Sequence, residues 1–139
     1  MKFWDSSAIL PLLVDELRSP GVAAVYEQDA HQIVWCLTEV EAASALARRE
    51  REGRDAGDVE NARGKLRILT ERWDEVTSVQ NVRARALRLL GTHSLRAADA
   101  LQLAAALVFC DERTGSLPFV CLDDRLADAA RKERFPVLP

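Results

Sequence analysis

The sequence predicts an α/β fold in which helices cover both faces of a central parallel sheet. Its 139 residues, 48% hydrophobic and 29% charged, suit one globular domain with a sizeable core. Short apolar runs alternate along the chain with longer segments whose apolar residues recur at helical spacing. No repeat, low-complexity segment or linker interrupts this alternation, so we expect a single domain over residues 1–139.

Five short apolar runs predict the strands, which we place at residues 2–5, 32–37, 75–79, 119–122 and 135–138. Because helical segments separate these runs, neighbouring strands are expected to run parallel. Pro136 and Pro139 are tolerated only in an edge strand, so the fifth strand belongs at the side of the sheet.

The helices fill the intervals between the strands, at about residues 6–16, 20–29, 38–54, 58–74, 81–90, 95–110 and 124–133. Ser6 or Ser7 can cap the first helix, and Thr38 can cap the third. Pro20 suits the first turn of the second helix. The helix at 95–110 is apolar on nearly all sides, which indicates that it lies buried in the middle of the molecule.

The charge balance excludes one class of protein. Twenty-two acidic residues face 19 basic ones, giving a net charge of −3. This balance argues against a protein that holds nucleic acid by bulk positive charge. Sixteen of the basic residues are arginines, whose guanidinium groups suit bidentate contacts with phosphates and carboxylates.

The sequence also indicates a cytoplasmic protein. Residues 1–5 contain no basic segment leading into an apolar run, so we expect no secretory signal. The longest stretch without a charged residue, at 100–110, is too short to span a bilayer. Cys36, Cys110 and Cys121 are odd in number and far apart, which favours reduced cysteines over a zinc site or a disulfide framework.

Four acidic residues occur where open parallel sheets form their sites, beyond the carboxyl ends of the strands. Asp5 ends the first strand, and Asp123 follows the fourth. Glu41 lies in the first turn of the helix after the second strand, and Asp99 lies near the start of the apolar helix. Right-handed crossovers bring all four to the same edge of the sheet.

Carboxylates gathered at one edge repel one another, and burial raises their pKa values. A hard divalent cation, Mg²⁺ or Mn²⁺, resolves this conflict because it takes oxygen ligands. Such a cation can activate water and stabilise the leaving oxygen of an in-line phosphoryl displacement. The four acids therefore indicate a metal-dependent nuclease.

Each of these acids also has a purely structural interpretation. Glu41 stands three residues after Thr38, which is the spacing of a capping box. Asp123 can cap the next helix, and Asp5 can form a turn. Asp99 can complement the dipole at a helix N-terminus. The residues themselves leave both interpretations open.

Four segments resemble, in order and spacing, the motifs of PIN domains, in particular those of VapC-type ribonuclease toxins of bacterial toxin–antitoxin pairs. They are Asp5-Ser6-Ser7-Ala8, Glu41-x-x-x-Ala45-Leu46, the run from Leu95 to Ala104 that contains Asp99, and Phe119-Val120-Cys121-Leu122-Asp123. The resemblance covers essentially the whole chain, and the segment around Asp99 is its most specific part.

The resemblance implies a three-layer α/β/α sandwich around a parallel sheet of about four to five strands. It further implies Mg²⁺ or Mn²⁺, endonucleolytic RNA cleavage, a homodimer, and a VapB-like antitoxin that blocks the site. The helices within residues 10–26 and 42–69 would form the antitoxin groove. The metal ligands and catalytic residues would be Asp5, Glu41, Asp99 and Asp123, supported by Ser7. Many relatives carry Thr or Ser where this chain has Cys121.

Two of the four positions have a competitor in the sequence. Glu39 competes with Glu41, and the spacing to the rest of the motif favours Glu41. Asp124 competes with Asp123, and the three-residue step to Leu126 favours Asp123. Asp124 remains a supporting candidate, because it can reach the metal shell through water.

A group of arginines is the candidate contact for RNA. No acidic residue occurs between Glu75 and Asp99, and this stretch contains Arg83, Arg85, Arg88 and Arg96. Arg96 stands three residues before Asp99, so we predict that it helps to position phosphate. Solvated surface is the alternative role for this side chain.

We therefore expect a metal-dependent endoribonuclease that acts as a toxin. The nearest alternative is a housekeeping PIN-type RNA-processing nuclease, although the small size without appended RNA-binding modules favours the toxin. A second alternative, a non-catalytic PIN-like binding module, is disfavoured by the intact set of four acids. A receiver-like phospho-acceptor domain is disfavoured because no lysine follows the last strands; the lysines are Lys2, Lys65 and Lys132.

Overall fold

In a computed structural model covering residues 1–139, five parallel strands form one sheet with helices on both faces. The strands are β1 (Lys2–Trp4), β2 (Gln32–Trp35), β3 (Asp74–Val76), β4 (Phe119–Val120) and β5 (Val137–Leu138). Across the sheet they run in the order β3-β2-β1-β4-β5, so β5 lies at an edge as predicted. The predicted α/β fold is confirmed as a three-layer α/β/α sandwich.

Seven helices connect the strands: α1 (Ser6–Leu13), α2 (Ser19–Gln28), α3 (Thr38–Arg51), α4 (Ala56–Thr70), α5 (Val79–Thr92), α6 (Ala97–Phe109) and α7 (Asp124–Lys132). A short 3-10 turn at Thr114–Ser116 precedes β4. Pro20 lies in the first turn of α2, as the sequence predicts. None of the helices combines the length and the apolar character that crossing a membrane requires.

Alternation of side chains along the strands divides the core into two layers. Phe3 and Phe119 stack with ring centroids 5.3 Å apart on the face covered by α5, α6 and α7. Their neighbours Trp4 and Val120 lie on the opposite face, which α1 to α4 cover. All four side chains are fully buried, because helices cover both faces of the sheet.

Helix α6 is the apolar helix that the sequence places in the middle of the molecule. Seven of its residues are buried, and it packs against α5, α7 and β2. Its only polar side chains are Asp99, in the first turn, and Gln102, three residues further on. Residues three apart share one face of a helix, so these two side chains extend on the same side of α6.

The direction of winding reverses between β1 and β4. From β1 the chain winds outward through β2 to β3, and it then returns to β4 on the other side of β1. In open parallel sheets, ligands bind beyond the carboxyl ends of the strands that flank such a reversal. We call this region the switch-point edge; it comprises the residues just after β1 and β4 together with the first turns of α3 and α6.

Several predicted boundaries are wrong, each for a local reason. Helix α4 ends at Thr70 rather than at 74, because the amides of Arg72 and Trp73 both bond to the carbonyl of Leu69 in a tight turn. The backbone therefore becomes extended earlier in the chain than predicted, and β3 spans 74–76 instead of 75–79. Helix α1 ends at Leu13 rather than near 16, where Val14 becomes extended.

Two further differences affect the switch-point edge. Helix α6 begins at Ala97 rather than at 95, because the amide of Leu95 bonds to the carbonyl of His93 in a turn. Strand β4 ends at Val120 rather than at 122, because the amides of Leu122 and Asp123 bond to the Ser7 hydroxyl instead of to a neighbouring strand.

Candidate functional site

The four predicted acids arrive at the switch-point edge from four different elements. Asp5 directly follows β1 and caps α1, and Asp123 follows β4 and caps α7. Glu41 lies in the first turn of α3, and Asp99 lies in the first turn of α6. None of the four forms an ion pair with a basic side chain.

Asp5 is held in place by Ser7, the residue that the resemblance gives a supporting role. The Ser7 amide and hydroxyl both donate to Oδ2 of Asp5, at 3.0 and 2.5 Å. The same hydroxyl oxygen accepts from the amides of Leu122 and Asp123, at 2.9 and 3.2 Å. Ser7 therefore connects the end of β1 to the end of β4, and it leaves Oδ1 of Asp5 without a hydrogen bond from the protein. Ser6 and Ser7, predicted as caps, do not cap α1; Asp5 does.

Glu41 is held by two neutral donors. The Ser6 hydroxyl donates to its Oε2 at 2.8 Å, and the Gln102 side-chain amide donates to its Oε1 at 3.1 Å. The capping-box interpretation is wrong, because Thr38 is buried, forms no cap and accepts a hydrogen bond from Gln102 at 3.0 Å. Of the two acids in the first turn of α3, Glu39 is exposed, and Glu41 is the one that Ser6 and Gln102 hold.

Asp99 and Asp123 complete the set. Asp99 is half-buried, whereas Asp123 is exposed. Oδ1 of Asp123 accepts from the amide of Leu126 at 2.8 Å, so the predicted helix cap exists alongside any further role of this residue. Asp124 is exposed in the first turn of α7, next to Asp123.

The charges of the four carboxylates interact in pairs: Asp5 with Glu41 and Asp99, Glu41 with Asp99, and Asp99 with Asp123. Burial raises the pKa of Asp5 to about 6, the hydrogen bonds from Ser7 oppose this, and the charges of Glu41 and Asp99 raise it further. Burial and the charge of Asp99 raise the pKa of Glu41, although Ser6 and Gln102 oppose the shift. Burial and the charge of Asp123 raise the pKa of Asp99. Gathering these acids therefore costs free energy at neutral pH.

Two arginine charges lie beside this cluster. Arg96 and Arg125 both lower the pKa of Asp99, against the larger effect of burial. The sequence predicts Arg96, but it gives Arg125 no role. A third arginine, Arg18, donates from Nη1 to the carbonyl of Leu122 at 2.9 Å, close to Asp123 in the chain.

Cys121 lies against Asp5 and Ser7. Its Sγ is 3.7 Å from both Oδ2 of Asp5 and Oγ of Ser7. Burial strongly raises the pKa of this thiol, so it remains protonated at neutral pH and acts as a weak donor. The three cysteines are free, as the sequence predicts.

The donor chemistry at the switch-point edge fits a hard divalent cation, since oxygen atoms of four carboxylates are the groups on offer. In this structure, however, no three or more His, Cys, Asp or Glu side chains form a group that could hold a metal ion. Mg²⁺ can also be held by one or two carboxylates together with several waters.

The sequence predicts no role at the site for three residues of this arrangement, which are Ser6, Gln102 and Arg125. Ser6 looks like a helix cap, and Gln102 looks like one position of an apolar helix. Arg125 directly follows the acidic pair Asp123 and Asp124, and this position in the sequence could have indicated a role at the site. Only tertiary packing reveals the contacts of Ser6 and Gln102 with Glu41.

Replacing Asp5 with asparagine should stabilise the metal-free protein at neutral pH. Folding raises the pKa of the Asp5 carboxyl from 3.8 to about 6, so the folded state binds this proton more tightly than the unfolded chain. The free energy of unfolding therefore decreases as the pH increases through this interval. This shift corresponds to about 3 kcal/mol. In urea unfolding, we expect Asp5→Asn to raise the free energy of unfolding at pH 7 by up to that amount and to have little effect below about pH 4.

Asp128→Asn is the matched control for this measurement. Asp128 is exposed, and its hydrogen bond with Lys132 lowers its pKa. Its replacement should leave the pH dependence between about pH 4 and pH 6 unchanged. Equal effects of Asp5→Asn at pH 4 and pH 7 would contradict the explanation from charge and point to altered packing.

No protein-family model matches this sequence, and no curated protein matches it. The function of the switch-point edge is therefore inferred from its own residues.

Proposed function

We propose that this protein is a Mg²⁺- or Mn²⁺-dependent endoribonuclease that acts as the toxin of a toxin–antitoxin pair. The observation that carries the proposal is that four carboxylates without ion pairs, from four elements, lie at the edge of the sheet where its winding reverses and interact electrostatically. The resemblance of the same residues to the motifs of PIN domains supports it.

The cation would be held by Asp5, Glu41, Asp99 and Asp123, with Asp124 as a supporting residue through water. When bound, a divalent cation supplies the Lewis acidity that phosphodiester hydrolysis requires. The protein's own contribution is to keep the carboxylates ionised and oriented without neutralising them. Ser7 does this for Asp5, and Ser6 does it for Glu41.

The RNA strand would be positioned by the arginines near Asp99. Arg96 and Arg125 are exposed and act on Asp99 from two different elements, the start of α6 and the first turn of α7. A surface cleft of about 140 Å³ adjoins Arg125 and is also lined by Thr92, Ser94 and Lys132. Asp128, which pairs with Lys132, also lines this cleft, so Arg125, Thr92 and Ser94 are the groups there that suit a phosphate next to the one that is cleaved.

The proposed partners are a VapB-like antitoxin and a second copy of the chain. Leu12, Tyr26, Ile68 and Leu69 line a largely apolar cleft of about 220 Å³ between α1, α2 and α4, in the region where the resemblance places the antitoxin. On α5, Leu87 is 67% exposed and Leu90 is 42% exposed, so this helix offers apolar surface for a homodimer.

Neutralising Asp99 or Glu41 should abolish RNA cleavage without unfolding the protein. We expect Asp99→Asn and Glu41→Gln to lower the cleavage rate of single-stranded RNA in Mg²⁺ by more than about 100-fold. Replacing a residue that only hydrogen-bonds to a metal ligand already lowers metal affinity or activity by about 10- to 100-fold, and these two residues are proposed as ligands themselves. Glu39→Gln, the exposed neighbour on α3, is the matched control and should cleave like the wild type. Equal losses in Glu39→Gln and Glu41→Gln would contradict the placement of Glu41.

Removing Arg96 or Arg125 should weaken RNA binding in a salt-dependent way. Measured on the inactive Asp99→Asn protein, each change to alanine should reduce the slope of log affinity against log salt by roughly 0.7, the value for one phosphate contact on a single strand. Arg113→Ala, before β4 at the opposite edge of the sheet, should leave the slope unchanged. An unchanged slope for both Arg96→Ala and Arg125→Ala would rule out these contacts.

Expression of the protein should arrest bacterial growth. The Asp5→Ala variant should not arrest growth, and co-expression of the small open reading frame next to the gene should relieve the arrest by the wild type. Arrest that persists with Asp5→Ala would refute a catalytic toxin. Cleavage in vitro without any arrest in vivo would favour an RNA-processing nuclease instead.

A further inference from the structure

Gln102 is an exception in an otherwise apolar helix. It is fully buried in α6, on the same side of the helix as Asp99. Its Nε2 donates to Oε1 of Glu41 at 3.1 Å and to the Thr38 hydroxyl at 3.0 Å. Its own Oε1 is buried and has no hydrogen-bond partner.

Stability does not explain a glutamine at this position. A buried amide oxygen without a partner is destabilising, because it has lost its hydrogen bonds to water and gained none in return. A methionine or leucine would fill similar space in the same apolar surroundings without this loss. What glutamine adds is a pair of neutral donor hydrogens, and both of them are used.

The two hydrogen bonds of Gln102 fix the orientation of its amide group. Rotating the group by half a turn would place its oxygen against the carboxylate of Glu41 and would leave Thr38 without its donor. Ser6 holds the other oxygen of Glu41 from α1 at 2.8 Å. Both carboxylate oxygens of Glu41 therefore accept hydrogen bonds, one from α1 and one from α6, and both donors are uncharged.

We propose that Gln102 is a positioning residue of the ribonuclease site: its fixed side-chain amide holds the carboxylate of Glu41 in the orientation in which it serves that site. This inference rests on the proposed function. Gln102 acts through Glu41 and contacts neither cation nor RNA. Its unpartnered oxygen is the structural cost of that role.

Gln102→Met tests the proposal, because methionine keeps the length and burial of the side chain and removes both donors. We expect RNA cleavage to decrease by about 10- to 100-fold, mainly in kcat and with little change in KM for RNA. Mn²⁺ binding to the variant, measured by calorimetry without RNA, should weaken by a similar factor. The thermal unfolding midpoint of the metal-free variant should stay the same or rise.

Gln32→Met provides a matched control. Gln32 is also a fully buried glutamine whose amide has an atom without a partner, but it lies at the start of β2, at the opposite edge of the sheet. Its replacement should likewise keep or raise the unfolding midpoint, and it should leave both cleavage and Mn²⁺ affinity unchanged. The same substitution is therefore expected to separate the two glutamines by function and not by stability.

The side-chain amide of Gln102 gives a readout that needs no active enzyme. In nuclear magnetic resonance spectra of the ¹⁵N-labelled metal-free protein, one of its two amide protons should show the downfield shift of a bond to a carboxylate. That shift should disappear in Glu41→Leu. If the chemical shifts of the Gln102 amide protons are the same in Glu41→Leu as in the wild type, the proposal is wrong, even if Gln102→Met fails to fold.

The outcomes separate this inference from the function on which it rests. Wild-type cleavage and Mn²⁺ affinity in Gln102→Met would overturn the role of Gln102 alone. A fall in the unfolding midpoint that accounts for the lost activity would also overturn it, because Gln102 would then be merely structural. Absence of RNA cleavage by the wild-type protein would overturn the proposed function and, with it, the role of Gln102.

Discussion

Repulsion between carboxylates is the constraint around which the switch-point edge is built. Asp5, Glu41 and Asp99 are all at least half-buried, and each has its pKa raised by burial and by another acid of the group. Elsewhere the protein pairs acidic side chains with basic ones, as Arg85 does with Glu112 and Glu133. At the switch-point edge it uses hydroxyl and amide donors instead. The carboxylates therefore keep their negative charge. A cation site requires such charge, whereas a stable core avoids it.

The sequence predicted the parts of this arrangement that depend on local pattern. The positions of Asp5 and Asp123 follow from where apolar strands end, and the parallel topology then places them together. Local pattern could not decide whether Glu41 caps a helix, because a capping box and a site acid have the same spacing from Thr38. The answer depends on Gln102, which is 64 residues from Thr38 in the chain and contacts both side chains. No periodicity reports such a long-range contact.

The overall charge has a different meaning once the acids are located. Setting aside the four proposed metal ligands leaves 18 acidic residues, which face 19 basic residues. The excess of negative charge belongs to one site and not to the surface as a whole. Under the proposed function, an RNA strand would meet a nearly neutral surface with local arginines, and its affinity would depend on those arginines and on the cation.

The hydrogen bonds of the Ser7 hydroxyl determine at what stage of protein synthesis the site can form. It bonds to Asp5 near the start of the chain and to the amides of Leu122 and Asp123 near its end. Strand β4 must therefore be synthesised and inserted beside β1 before the two acids can meet. The arrangement of acids proposed as a cation site therefore cannot assemble until the ribosome has synthesised β4 as well as β1. Any activity of this arrangement would begin only after β4 has been made, because Ser7 and Asp123 are 116 residues apart in the chain.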